Sequence, residues 1–257
     1  FYRGVELYNE SDFLEAKTLF AQSLKEPRNE YYTARATFWQ AETNYNLTNY
    51  EDALIGFKQL EQQTISKTTS EFENIDYNLG YTYFKLKNYE PAIRYFNQFI
   101  AGKKDDQVRL NDAYLRLGDA YFVSSDYSKA ISAYNNANKL NEIDSDYAFF
   151  QKAISAGYIG QDAKKISELE QFISEYKSSK LRDDAMYELG NSYVKANQTD
   201  KALQMYNRLN NEYIMSSFVS KSLLRQGLVY YNSSQNEESF TKFKKEAVDF
   251  PNTPEAA

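Results

Sequence analysis

The side chains that could do chemistry in this sequence are carboxylates, lysines, tyrosines and hydroxyls, because the chain contains neither Cys nor His. This composition excludes thiolate nucleophiles, disulfides, imidazole bases and the usual zinc and iron sites. A hydrolase would then need two carboxylates in unlike environments. Helical spacing places Asp183, Asp184 and Glu188 near one another, but acids at the start of a helix are expected as solvated caps. The sequence therefore predicts that the protein is not an enzyme, and neither a cofactor nor a metal is expected.

Net charge and hydropathy limit the kinds of partner that this chain is expected to bind. The 30 basic and 36 acidic residues give a net charge of −6, which repels a phosphate backbone, and acids follow the basic clusters at Lys103-Lys104 and 242–245. No nucleic acid partner is predicted. No apolar stretch is long enough to span a bilayer, so no transmembrane segment is expected in these residues. Only 4 Pro and 9 Gly in 257 residues favour a mostly helical chain.

The elements that must position any site are repeats. A small residue recurs seven times at separations of 35 to 39 residues, at Gly4, Ala41, Gly80, Gly118, Ala153, Gly190 and Gly227. We call this the small position. Twelve residues later stands the alanine position, with Ala16, Ala53, Ala92, Ala130, Lys165, Ala202 and Ser239. Four further on stands the ring position, with Phe20, Phe57, Phe96, Tyr134, Leu169, Tyr206 and Phe243.

This spacing has a packing reason. A small residue in each helix of a hairpin permits close backbone contact, and a large ring one turn away is expected to insert between neighbouring hairpins. Helices are predicted near 72–86 and 89–101, 111–124 and 127–139, and 183–196 and 199–212. Short polar residues are expected to cap the second helices, at Asp12, Asn49, Asn88 and Asp126.

The segments LGYTYFKLKNYEPAIRYF (79–96), LGDAYFVSSDYSKAISAY (117–134) and LGNSYVKANQTDKALQMY (189–206) resemble the tetratricopeptide repeat. The resemblance implies an all-α fold, a right-handed α-solenoid superhelix of about seven antiparallel helix pairs. It also implies a single domain over 1–257, with repeats near 1–27, 31–62, 70–101, 108–140, 145–176, 181–213 and 217–251.

A narrower resemblance concerns location. The segments EYKSSKLRDDAMYELGNSYV (175–194) and DFPNTPEAA (249–257) look like the linkers of periplasmic tetratricopeptide proteins. Those proteins include the Tol-Pal-associated division coordinator and the outer-membrane assembly lipoprotein. The texture of AISAGYIGQDAKKISELEQFI also looks like long tetratricopeptide proteins of Bacteroidetes. This resemblance implies a periplasmic protein that takes part in assembling or maintaining the cell envelope.

The family resemblance implies a groove lined by the first helices, which would bind a protein or peptide partner. Rigid aromatic anchors suit an amphipathic helix or an extended peptide. Apolar residues stand where a carboxylate clamp would have Lys, so chaperone-tail docking is not expected. The predicted partner-binding residues are Phe38, Tyr45, Tyr77, Tyr81, Phe84, Phe122, Phe150, Tyr158, Tyr187 and Tyr231.

Several alternatives stay open at this stage. A helical module that binds glycans is the second hypothesis, and it would need an exposed platform such as Trp39. The divergent fifth repeat, with Lys165 at the alanine position, is either harmless or bends the binding surface, and its ammonium is expected to reach water along the stem. The chain is also expected to be an interior excerpt of a longer solenoid that self-associates through its ends.

Overall fold

The computed structural model describes residues 1–25, 29–102 and 105–256, and these ranges form fourteen α-helices without a β-strand. The all-α prediction is therefore confirmed. Lys103 and Lys104 lie outside the described residues. Within the described ranges no helix has the length and apolar character that a bilayer crossing requires. The helices are α1 (Tyr2–Asn9), α2 (Phe13–Lys25), α3 (Glu30–Asn46), α4 (Tyr50–Gln62), α5 (Ile75–Lys85), α6 (Tyr89–Gly102), α7 (Gln107–Val123), α8 (Tyr127–Leu140), α9 (Ser145–Tyr158), α10 (Asp162–Glu175), α11 (Arg182–Lys195), α12 (Thr199–Glu212), α13 (Phe218–Asn232) and α14 (Asn236–Asp249).

The helices divide into two compact units. The first unit, Phe1–Ile143, contains α1 to α8, and the second unit, Asp144–Ala257, contains α9 to α14. Successive helices pack as hairpins, four in the first unit and three in the second. The single domain expected from the repeats stays a prediction.

The six helices predicted by residue range are confirmed, with two differences at their starts: α7 begins at Gln107, four residues before the predicted start, and α5 begins late. Residues Ser70–Asn74 form a 3-10 helix, and α5 begins only at Ile75. The predicted caps are confirmed in part. The carboxylates of Asp12 and Asp126 accept backbone N–H bonds from the residues three positions later, at 3.3 and 3.4 Å, whereas Asn49 makes no side-chain cap bond.

The turn inside every hairpin has the same backbone form. Seven residues after the small position, one residue adopts a left-handed conformation, and its N–H bonds the carbonyl three residues earlier at 2.9–3.1 Å. The next N–H bonds the carbonyl five residues earlier at 2.8–2.9 Å. This is the Schellman arrangement that ends a helix and satisfies its last carbonyls. The left-handed residues are Ser11, Thr48, Lys87, Ser125, Gly160, Asn197 and Ser234.

In the five hairpins that have glycine at the small position, the ring of the ring position lies against that glycine. A Cβ atom added to Gly190 would lie 2.4 Å from Cε1 of Tyr206, and the other four glycines of the small position would approach their rings at 2.4–2.8 Å. The structure thus places the ring inside its own hairpin rather than at the predicted place between neighbouring hairpins. The five alanines of the alanine position are fully buried, which agrees with the predicted register.

Two hairpins have alanine instead of glycine at the small position and accommodate it differently. The second has Ala41 at the small position, and its second helix carries Gly56, where an added Cβ would lie 2.8 Å from the Cβ of Ala41. The fifth hairpin has Ala153 there and the smaller, non-aromatic Leu169 at the ring position, which is fully buried. In both hairpins the larger residue at the small position therefore faces a smaller residue on the second helix.

Candidate functional site

The structure separates the ten predicted partner residues by exposure. Phe38 and Phe150 are buried, with 7% and 8% of their surface exposed, and belong to the hydrophobic core of their units. Tyr158 and Tyr231 are 61% and 63% exposed. The other six, Tyr45, Tyr77, Tyr81, Phe84, Phe122 and Tyr187, are half-buried.

The two tyrosines of α5 are tied into the first unit by rings and hydroxyls. The ring of Tyr77 lies 5.2 Å from that of Phe99, and the ring of Tyr81 lies 5.5 Å from that of Phe96. Both hydroxyls donate to the carboxylate of Asp112, at 2.7 Å from Tyr77. Burial raises the pKa of both phenols above the ordinary value. These contacts tie both side chains into the packing of the first unit, and their predicted role in partner binding stays a prediction.

A chain of charge-assisted bonds continues from this carboxylate along α7. The guanidinium of Arg116 lies 3.4 Å from Asp112 and 2.6 Å from Asp119, and it donates to the hydroxyl of Tyr81 at 3.1 Å. The hydroxyl of Tyr134 donates to Asp119 at 2.9 Å. Both aspartates are buried, so this network holds α5, α7 and α8 together and is structural.

A small pocket of about 190 Å³ lies beside this network in the first unit. Its walls include the rings of Tyr45 and Phe57 and the carboxylate of Glu42. Glu42 accepts bonds from the hydroxyl of Tyr8 at 2.9 Å and from the amide of Asn78. Burial raises the pKa of Glu42, and the two bonds oppose that shift.

In the first unit every hairpin closes its turn with a pair of rings. The ring four residues after the small position meets a ring five residues further on, with centroids 5.3–5.6 Å apart and planes 63–74° apart. Edge-to-face contacts of this kind favour the close approach of the two helices. The four turn pairs are Tyr8 with Phe13, Tyr45 with Tyr50, Phe84 with Tyr89, and Phe122 with Tyr127.

The fifth hairpin has lost both rings of the turn pair. Gly157 and Asp162 stand at the two positions, and a pocket of about 410 Å³ lies there, in the second unit. Its walls come from α9, from the start of α10 and from α11. The apolar part is formed by Phe150, Ile154 and Tyr158.

Two ion pairs cross this pocket. The ammonium of Lys165 lies 2.6 Å from the carboxylate of Glu188, and the ammonium of Lys195 lies 2.7 Å from that of Asp162. The prediction that Lys165 carries its charge out to water is therefore wrong. Its stem passes over Gly157, where an added Cβ would lie 2.6 Å from Cδ of Lys165, and the charge is neutralised within the pocket.

A third carboxylate of the pocket has no such cation. Within the described residues no ammonium or guanidinium lies within ion-pair distance of Asp184. Burial, together with the charges of Asp183 and Glu188, raises the pKa of Asp184 to about 6, while Lys221 opposes the shift. The pocket therefore holds a carboxylate that is poorly stabilised in its ionised form.

The alternative functions meet specific obstacles in the geometry. Trp39 is half-buried, its indole N–H donates to Glu71 at 3.1 Å, and its ring packs edge-on against Tyr8 and Phe38, so it is not an exposed stacking platform. A two-carboxylate mechanism would need a second unpaired acid beside Asp184, but Glu188 already binds Lys165. Among the described residues no cluster of three acidic side chains is arranged to hold a metal ion.

Comparison with known sequences identifies the repeats. Models of the tetratricopeptide repeat match residues 184–213 in the second unit, and residues 77–101 and 112–144, which lie almost wholly in the first. These matched segments of the chain are tetratricopeptide repeats. Their small, alanine and ring positions are thus the packing positions of this repeat.

Relatives and solved structures agree on the repeat fold. The chain is 24% identical over 176 residues to the TPR repeat-containing protein YpiA of Bacillus subtilis, which covers 67% of this chain and 41% of that protein. The C-terminal part of a TPR repeat-containing protein from Cytophaga hutchinsonii aligns with a TM-score of 0.77 at 15% identity, over 99% of this chain and 97% of that one. A tetratricopeptide repeat protein from Parabacteroides merdae aligns at 0.62 and 16% identity, over 98% and 92%. At these identities the structures show the fold alone.

The second-unit pocket includes residues that the sequence interpretation did not select for binding. Lys165, Asp184 and Glu188 contribute its charges, whereas only Phe150 and Tyr158 of the predicted set line it. The signal available in the sequence was the departure of the fifth tetratricopeptide repeat from the pattern at Gly157 and Asp162. A position that packs a ring in four other repeats and holds glycine here indicates an opening.

Proposed function

We propose that the protein is a non-catalytic scaffold that binds a segment of a partner protein along its first helices, with the pocket of the fifth and sixth repeats receiving one partner side chain. Tetratricopeptide repeat proteins generally mediate protein–protein interactions. The observation that carries the proposal is the pocket of about 410 Å³ at the turn of the fifth hairpin, where Gly157 and Asp162 stand at the positions of the two rings.

The walls of the pocket suit a side chain from another protein. Phe150 and Ile154 provide an apolar floor, and Tyr158 stands exposed at the edge, where a tyrosine can contact a partner at low entropic cost. Asn191 and Ser192 add amide and hydroxyl groups to the opposite wall. Apolar walls with a few polar groups are typical of sites that recognise one residue of a partner.

A matched pair of variants isolates the pocket. The filled variant combines Gly157→Tyr, Lys165→Ala and Glu188→Gln, which restores a ring and an alanine at the positions where the first-unit hairpins have them. The open variant has Lys165→Ala and Glu188→Gln only. Glu188 is neutralised in both because it would otherwise lose its ion pair, so the two proteins differ only by the ring that occupies the pocket.

The test begins with peptides selected from a random phage-displayed library on the wild-type chain. Backbone amide shifts in NMR spectra then locate each bound peptide. We expect the largest shifts at Gly157, Ser192 and their neighbours, with equal helical signals for both variants by circular dichroism. If every selected peptide shifts only amides of the second helices of the hairpins, the proposal is contradicted.

We also propose a periplasmic location and a role in the cell envelope. The support is the resemblance of 175–194 and 249–257 to linkers of periplasmic tetratricopeptide proteins. Fractionation of the source cells with an antibody against this chain tests it. Recovery with the periplasmic fraction is expected, and recovery with cytosolic markers would contradict it.

A further inference from the structure

We propose that the pocket between α9 and α11 binds the cationic end of a lysine or arginine side chain of the partner, with Asp184 as its counter-charge. This inference rests on the proposed function and adds the chemistry of the occupant. It is argued from the charges that line the pocket, from their pairing and from the apolar wall beside them.

The pocket carries one negative charge in excess. It is lined by three carboxylates, Asp162, Asp184 and Glu188, and by two ammonium groups, Lys165 and Lys195. Two of the carboxylates are neutralised by ion pairs of 2.6 and 2.7 Å, which leaves Asp184 as the charge without a partner. A cationic guest would complete a third pair, whereas an anionic guest would have to displace a carboxylate from one of the two lysines.

The position of Asp184 suits a long side chain with a charged tip. Asp184 lies in the first turn of α11 and Lys195 in its last turn, about 16 Å apart along the helix axis. The pair of Lys165 and Glu188 lies between these two ends. A partner side chain that enters beside Asp184 therefore keeps clear of the ammonium of Lys195 and can lay its methylene stem along Ile154.

The shape of the pocket also favours a cation with an aliphatic stem over a bare ion. Phe150, Ile154 and Tyr158 form an apolar wall, and a metal ion would leave this wall in contact with water. A lysine or arginine side chain buries apolar stem and pairs its charge in the same event. Asn191 and Ser192 supply neutral polar groups on the opposite wall.

Binding of a cation should depend on pH. Because the pKa of Asp184 is raised to about 6, the carboxylate is mostly ionised at pH 7 and mostly protonated at pH 5. A guest that binds only the ionised form should lose affinity about tenfold between these values, since the ionised fraction falls by that factor. The charged groups that act on Asp184 are Asp183 and Glu188 on α11 and Lys221 on α13, and Lys165 on α10 is paired with Glu188.

The experiment uses n-butylammonium as the probe and the whole chain labelled uniformly with ¹⁵N. Asp184 and Gln151 line the pocket, and the amides of the first unit serve as internal references. We expect a saturable shift of the amides around Asp184 with butylammonium at pH 7, and none with butyrate or butanol. Asp184→Asn should weaken the affinity about tenfold, as expected for one charge-assisted hydrogen bond.

The control is Asp183→Asn, because the carboxylate of Asp183 accepts from Ser216 at 2.6 Å and does not line the pocket. It should leave the affinity nearly unchanged. Equal affinities of wild-type and Asp184→Asn protein, or a response to butyrate equal to that for butylammonium, would overturn the inference.

Failure of the inference and failure of the proposed function give different results. Selected peptides that bind through the pocket but retain their affinity when their Lys and Arg residues are replaced would overturn the inference and leave the scaffold function standing. Conversely, butylammonium could bind at Asp184 while the filled variant holds every selected peptide as tightly as the open one. That result would support the cation site and contradict the proposed function.

Discussion

The contact between Gly190 and Tyr206 predicts the effect of adding one methyl group. In the Gly190→Ala variant the new Cβ would lie 2.4 Å from Cε1 and 2.8 Å from Cδ1 of the ring. The ring is fully buried, and its hydroxyl is bound to Asn191 at 2.8 Å, so it cannot turn aside without losing that bond. The variant should therefore be less stable although alanine is the better helix former.

The magnitude follows from two opposing terms. Overpacking of a tight core contact costs up to about 3 kcal/mol, and replacing a helical glycine by alanine returns about 1 kcal/mol. We expect a net loss of about 2 kcal/mol in the free energy of unfolding. Urea denaturation followed by circular dichroism measures it. Gly157→Ala is the matched control, because its Cβ meets only the flexible side chain of Lys165, and it should cost less than about 1 kcal/mol.

The fifth repeat supplies a rescue. It pairs Ala153 with Leu169, so Gly190→Ala combined with Tyr206→Leu copies an arrangement that this chain already uses. The double variant should be more stable than the sum of the two single losses predicts, by about 1.5 kcal/mol or more. Strictly additive losses, or an alanine variant as stable as the wild type, would refute the reasoning that the glycine exists to admit the ring.

Three further predictions concern turns, packing and charge. Thr48→Gly should raise the unfolding free energy by about 0.5–1 kcal/mol in urea denaturation. Thr48 is β-branched and has a φ of 62°, a conformation that glycine adopts without strain. A lower unfolding free energy would argue against strain at this turn. Ala130→Lys should cost about 3–5 kcal/mol in the same assay, since the site is fully buried and the ammonium would lose water, and a loss under 1 kcal/mol would contradict the register. Asp184→Asn should raise the unfolding free energy by about 1 kcal/mol at pH 7.5. This value is reduced for solvent screening because the carboxylate is only partly buried, and the increase should vanish by pH 4. The sign follows because a carboxyl whose pKa is raised by folding destabilises the native state only where it is ionised, so thermal melts at the two pH values decide it.

Much of the fold could be predicted because its packing rules are local. The small, alanine and ring positions lie within 16 residues of one another, so their spacing predicts the helix pairs and the buried alanines, although it did not predict that the ring packs inside its own hairpin. The left-handed turn residues were harder to recognise. Only Gly160 and Asn197 are of the types usual at this position, whereas Thr48 and Lys87 adopt the same conformation because the helices on both sides impose it.

The site could be predicted only in outline because its pairings are distant in sequence. The spacing placed Tyr77 and Tyr81 on one helix face, but their hydroxyls bind Asp112, more than thirty residues further on. Lys165 likewise finds Glu188 across 23 residues. Helical periodicity gives the face of a residue and does not give its partner on another helix.

The central claim is that the opening at Gly157 receives a partner side chain. Isothermal titration of one selected peptide against the filled and open variants tests it most directly, because the two proteins differ only in the ring at residue 157. We expect a dissociation constant at least about tenfold larger for the filled variant, the loss expected when one buried anchor is excluded from its site. Equal dissociation constants for two equally folded variants would show that no partner side chain enters at Gly157.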